Sequence, residues 1–312
     1  MAYYSGYASS YPELLNQVVN ACVDNGWNWS DSILSKNNAF VKVETLLSST
    51  SNSNGPGLRF QGGTGKSGSS LINPSSAIMR MGPFGAGATI VPTPTFPIFY
   101  HIFIFDNPDE VFIIIKYDID RFQFAAFGMS SIADCGLWVS ASLGLRYMTG
   151  SGTTGTGIQI TAISGGASAS SSYVSSSGFM WHTLISTVEV ITQTIYIETD
   201  GIGWSHLISE TPAQQTMRPL IERLPAAWSS ESVLLPIQPT LIRASNKTSL
   251  IADIENARYL RIDNHEPEQI LTLGTDKWMV FPFHRKNVVV RNGGTQIDHT
   301  GTFGWAIRYD GP

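Results

Sequence analysis

Closely spaced runs of bulky β-formers constrain this chain more than any other feature. Phe96 to Phe105 and Val111 to Tyr117 are almost wholly aromatic or β-branched, and Phe122-Gln123-Phe124-Ala125-Ala126-Phe127-Gly128 follows close behind. Such side chains pack well on a pleated surface and lose rotamer freedom in a helix. Asp106-Asn107-Pro108-Asp109-Glu110 is a turn sequence, so the first two runs predict a hairpin. With the third run they predict an antiparallel meander. As turn acids, Asp109 and Glu110 are expected to be solvated.

Around this meander the punctuation predicts an α+β fold, predominantly antiparallel β and sandwich-like, with an N-terminal amphipathic helix. Leu14, Leu15, Val18, Val19, Cys22 and Val23 form the stripe of such a helix, with Pro12 in its first turn and Asn25-Gly26 as a left-handed stop. Trp27-Asn28-Trp29-Ser30 and Phe40 to Glu44 alternate like strands. Leu58-Arg59-Phe60 is a short strand inside a Ser, Asn and Gly-rich stretch from 49 to 80. Residues 149 to 178 are close to low complexity and read as an insertion or loop with little to bury. Strand patterns resume at Thr183 to Val190 and Thr194 to Glu198. They recur at Leu241-Ile242-Arg243, Tyr259 to Ile262, Trp278 to Phe281 and Asn287 to Val290. The expected organisation is therefore 1–148 as an α+β domain carrying the meander, 149–178 as the insertion, and 179–312 as a β-rich region.

Composition narrows the function. Charged residues make up only 14% of the 312 positions, where a typical soluble domain has about 25%. The surface must rest on Ser, Thr, Asn, Gln and Gly, which suits contact areas that avoid desolvating charge. A net charge of −5 supplies no broad electrostatic footprint for nucleic acid, and Arg285-Lys286 is too short a patch to change that. The opening MAYYSGYASS lacks the basic and apolar regions of a signal peptide. The apolar runs Ile98 to Phe105 and Val111 to Ile115 fall far short of the roughly 20 residues of a membrane helix, so no membrane anchor is expected. Cys22 and Cys135 read as buried apolar thiols.

Each chemical motif has a blander reading that fits better. Gly63-Thr64-Gly65-Lys66-Ser67 ends like a phosphate loop, but Phe60 stands where that loop needs its first glycine, and no helix start follows. Gly85-Ala86-Gly87 fails as a dinucleotide fingerprint, with Ile90 in place of the third glycine. Gly203-Trp204-Ser205-His206-Leu207 lacks the second glycine of a nucleophile elbow. Histidines at 101, 182, 206, 265, 284 and 299 form no close ligand pair, and His265-Glu266 or Asp298-His299 read as ordinary loop residues. Asp118 and Asp120 are expected on one face of a strand, where a glycosidase could use two carboxylates across a cleft; a solvated strand end is the simpler reading. No catalytic, cofactor-binding or metal-binding residue is expected, and an enzyme, whether glycosidase or serine hydrolase, is the least favoured class.

Several stretches carry a resemblance. Ile254 to Arg261, Leu273-Gly274-Thr275-Asp276-Lys277-Trp278-Met279-Val280-Phe281-Pro282-Phe283-His284-Arg285-Lys286-Asn287 and Asp298 to Tyr309 resemble the end of a family of virion structural proteins of contractile-tailed bacteriophages. The meander from Phe105 to Gly128, and the opening Tyr3-Tyr4-Ser5-Gly6 with its helix and Asn25-Gly26-Trp27, are similar to the same family. The resemblance implies a structural role in the tail, in the baseplate where the tube ends. It implies tube, hub or wedge proteins and copies of the chain in a ring as partners, with synthesis in the host cytoplasm. A neck or collar protein, and a receptor- or carbohydrate-binding protein at the tail tip, remain the alternatives.

Overall fold

The computed structural model describes residues 1–47, 56–76, 78–83, 94–141, 143–144, 195–199, 203–206, 233–243, 247–262, 264–282 and 303–311. The expected meander is the centre of a seven-stranded antiparallel sheet. From edge to edge its strands are Ala2–Ala8, Ile98–Asp106, Asp109–Asp118, Arg121–Met129, Cys135–Ala141, Ile195–Thr199 and Gly203–His206. The hairpin turn is tighter than its sequence suggests, because Asp109 already pairs with Asp106 and leaves Asn107-Pro108 as the link.

Register decides what the meander does with its bulk. Phe112 stands opposite Phe103 and Ala126, while Ile113 stands opposite Ile102 and Ala125. Successive residues point to opposite faces, so the strands sort into a mainly aliphatic face and a mainly aromatic one. Ile102, Ile104, Val111, Ile113 and Ile115 enter one core. Phe103, Phe105, Phe112, Phe122 and Phe124 enter another. Antiparallel sheets commonly leave one face to water and alternate accordingly. These strands do not alternate because both faces are covered by the chain itself.

The aliphatic face packs on the helix and on a six-stranded sheet, ordered Leu143–Gly144, Met79–Pro83, Gly57–Gly63, Ala39–Leu46, Ile33–Lys36 and Asn28–Ser30. The helix, Tyr11–Asp24, begins at Ser10, whose side chain accepts from the Glu13 amide at 3.3 Å, and Glu13 reaches back to the Ser9 amide at 2.7 Å. It ends as expected from Asn25-Gly26. The Trp27 amide donates to the Cys22 carbonyl and the Gly26 amide to that of Val23, with Gly26 at φ 81°. This two-bond closure satisfies carbonyls that the last turn leaves free and turns Trp27 inward, next to Cys22 in the core. The aromatic face packs on a five-stranded sheet, ordered Leu235–Ile237, Ile254–Arg261, Phe303–Arg308, Asp276–Pro282 and Ile270–Leu273.

The result is a three-layered α+β molecule, predominantly antiparallel, with one helix among the described residues. Ile195–Thr199 and Gly203–His206 extend the large sheet from beyond the 149–178 segment, which itself lies outside the described residues, as do 183–190 and 287–290.

Two-sided burial has a direct consequence for mutagenesis. Ile113→Ala and Phe112→Ala are neighbours in sequence on opposite faces, and each is expected to cost about 3 kcal/mol in urea denaturation. Ile119→Ala, at a position 66% exposed, is expected to stay within about 0.5 kcal/mol. A cheap substitution at either 112 or 113 contradicts the layering.

Candidate interaction surface

Polar side chains join the layers. Glu110 is fully buried on the aromatic face, where its carboxylate accepts from the Glu255 amide at 3.1 Å, the Asn256 amide at 3.1 Å and the Asn256 side chain at 2.8 Å. The reason lies in the partner strand: between Pro236 and Ile237 the register jumps from Arg258 to Ile254. A bulge of this kind strips backbone groups of their ladder partners. Glu110 serves its amides, and the Arg258 guanidinium donates to the carbonyls of Ile254, Glu255 and Ala257. Burial pushes the Glu110 carboxyl up to about 7, against the downward pull of its hydrogen bonds.

A second bridge crosses the same interface. His101, 2% exposed, meets the Tyr3 hydroxyl at 2.9 Å through Nδ1 and Glu268 at 3.0 Å through Nε2. Glu268 also takes the Lys116 ammonium. Burial raises the Glu268 carboxyl, but the hydrogen bonds and charges of His101 and Lys116 outweigh it and hold the group below its ordinary value. This chain of contacts ties the N-terminal strand, the meander and the C-terminal layer together.

The acidic residues of the meander differ from expectation. Asp109 and Glu110 are buried rather than solvated. Asp109 pairs with Lys36 at 2.8 Å and accepts from the Asn37 side chain at 3.0 Å. Asp118 and Asp120 do not share a strand face: Asp118 ends a strand, and Asp120 sits in the next turn at φ 55°. Asp118 pairs with Arg121 at 3.6 Å on an exposed hairpin tip, so no cleft separates the two carboxylates.

The remaining motifs are equally plain in place. Gly65–Ser67 forms a hairpin with Ser70–Ile72, and Lys66 is held by the Ser30 hydroxyl. Ser205 and His206 occupy consecutive strand positions opposite Ile197 and Tyr196. Cys22 is buried as expected, but Cys135 is only half-buried and lines a ≈470 Å³ cleft with Asn38, Thr64, Asn73 and Glu198. His265 is buried, and Gly85 to Gly87, His182, His284, Asp298 and His299 lie outside the described residues.

The sheet edges single out one surface. Among the described residues, five of the six edge strands in the three larger sheets run for two to four residues: Leu143–Gly144, Asn28–Ser30, Leu235–Ile237 with its proline, Gly203–His206 and Ile270–Leu273. Short strands and prolines are how proteins blunt edges against unwanted pairing. Ala2–Ala8 is the exception. It runs for seven residues without charge or proline, and no strand covers its outer side among the described residues. It is braced from behind on both faces, by Tyr3 on His101 and by the Tyr4 hydroxyl, which accepts from Asn25 at 2.9 Å. A rigid, open and uncharged rail of main-chain donors and acceptors is suited to taking another strand. Its composition was legible, but its edge position depends on pairing with Ile98–Asp106, nearly a hundred residues away.

No family model fits the chain, and no curated protein is significantly similar to it. The chemistry of the bridges makes its own prediction. Because the Glu110 pKa is raised in the fold from an ordinary 4.5 to about 7, the stability it contributes is full below pH 4.5 and is lost as pH rises through 7. Glu110→Ala, which leaves the bulge amides unserved, is expected to cost on the order of 3 kcal/mol at pH 5. The cost in urea denaturation is expected to shrink at pH 8; equal costs at both pH values contradict the assignment.

Proposed function

We propose that this chain is a structural component of a contractile bacteriophage tail, placed in the baseplate at the end of the tail tube. It acts through protein–protein contacts in a symmetric assembly, with other tail proteins and further copies of itself as partners. The phage placement rests on the resemblance carried by Tyr3 to Trp27, the meander and the C-terminal stretches.

The observation that carries the contact role is the uncharged seven-residue edge Ala2–Ala8, set on a body whose other edges are short among the described residues. A protein that remains alone in solution has reason to blunt such an edge; a protein that is built into a larger body has reason to keep it. The low charge of the chain supports the same reading. So does the use of its aromatic residues. Trp27, Trp138, Trp278 and Trp305 are buried and Trp29 and Trp204 half-buried, so the described tryptophans are spent mainly on the core. This favours a structural component over the carbohydrate-binding alternative.

Immunogold electron microscopy of purified particles with antibody against this chain tests the placement. Gold at the baseplate is the expected result, and gold at the neck reassigns the protein to the collar. Absence of label from intact and dissociated particles, with the chain confined to the infected cell's cytosol, overturns the structural reading.

A further inference from the structure

The open rail has a sequence that fits one occupant well. We infer that Ala2–Ala8 pairs antiparallel with the same strand of a second copy, across a two-fold axis through Ser5 and perpendicular to the sheet. The inference rests on reading this edge as an assembly surface and is separate from the tail placement.

Ala-Tyr-Tyr-Ser-Gly-Tyr-Ala is close to a palindrome in residue size. Turned on itself about Ser5, it sets Ala2 against Ala8, Tyr3 against Tyr7, Tyr4 against Gly6 and Ser5 against Ser5 of the second copy. Each pair sits on a common face of the joined sheet, because opposed positions differ by an even number. A one-residue slip requires the second copy to be turned over, which a two-fold axis perpendicular to the sheet does not allow, and a two-residue slip sets tyrosine against serine. Only the Ser5-centred register pairs all seven residues of both strands.

The pairs also suit their surroundings. Tyr7 is 66% exposed and lies edge-on to Phe99 at 5.0 Å, so one of its flanks is already packed and the other is open. Tyr3 of the second copy fills that flank as an aromatic cross-strand pair. Gly6 is backed by the Tyr100 hydroxyl, which lies 2.9 Å from where a Cβ would stand. Like charges directly opposed would bar self-pairing; this strand carries none. An isologous contact of this kind uses each donor and acceptor of the rail twice, once from each copy. It joins two seven-stranded sheets into one continuous sheet.

The test uses the purified full-length chain. Opposed residues in an antiparallel pair lie about 4.5–5.5 Å apart at Cα, within the roughly 4.4–6.8 Å that a disulfide spans. Ser5→Cys is therefore expected to give a covalent dimer under mild oxidation. Tyr7→Cys, whose opposite residue is Tyr3, and the unaltered chain with its own Cys22 and Cys135 are expected not to. Sedimentation equilibrium is expected to show a dimer for the unaltered chain and a monomer for Ser5→Lys, with an unchanged circular dichroism spectrum. If Ser5→Lys fails to fold, the cross-link decides. A monomeric unaltered chain, a dimer indifferent to Ser5→Lys, or a Ser5→Cys chain that does not cross-link overturns the pairing. A monomer that still labels the baseplate refutes this pairing and spares the tail reading, while a dimer absent from particles does the reverse.

Discussion

Burial of the meander on both of its faces is the constraint on which the rest of the structure depends. Ordering a residue's backbone costs roughly 1–2 kcal/mol, and burying a large apolar side chain contributes about 1.5–3 kcal/mol. A strand covered on one face recovers that cost at alternate positions only. Val111, Phe112, Ile113, Ile114 and Ile115 are all fully buried, so these strands recover it at each position. The helix with its sheet, and the C-terminal sheet, are the covers this requires. Neither layer has a reason to stay in place without the meander between them.

A sheet enclosed in this way cannot carry isolated polar groups, and the two bridges show how the exceptions are tolerated. Glu110 is buried where a bulge in the facing strand presents unpaired amides, so each defect satisfies the other. His101 and Lys116 lie on the meander where Glu268 comes down from the C-terminal layer. Polar groups that must be met from another layer fix how that layer sits, which apolar contact alone does loosely. With its faces enclosed, the meander meets a partner at its sheet's edges, and among the described residues Ala2–Ala8 is the long one.

Much of this fold was legible in the sequence, for local reasons. The helix declares itself through the spacing of Leu14, Val18 and Cys22 and through Asn25-Gly26. The meander declares itself through the density of Phe and Ile and the Asn107-Pro108 turn. Two-sided burial was legible in principle, since the run from Val111 to Ile115 does not alternate. The turn acids were misread because hydrogen-bonding need, not turn membership, governs Glu110, and the bulge that creates the need lies some 145 positions away. Asp118 and Asp120 were misplaced because a tight hairpin left Asp120 in the turn. His101 and Lys116 are polar residues in apolar strands, but their partner Glu268 comes from a loop with no local signal. The open edge was legible in composition and hidden in position, because strand order is set by long-range pairing.

Hydrogen exchange on the free chain and on the chain within its assembly tests most directly whether the molecule encloses its own meander and reserves an edge for partners. Amides from Ile98 to Met129 are expected to be the slowest to exchange in the free chain and to change little on assembly. Amides of Ala2–Ala8 that face away from Ile98–Asp106 exchange fast in the Ser5→Lys monomer and are protected wherever the edge is paired, in the dimer of the unaltered chain and in the assembly. Fast exchange throughout the meander of the free chain, slowed only by partners, would contradict it.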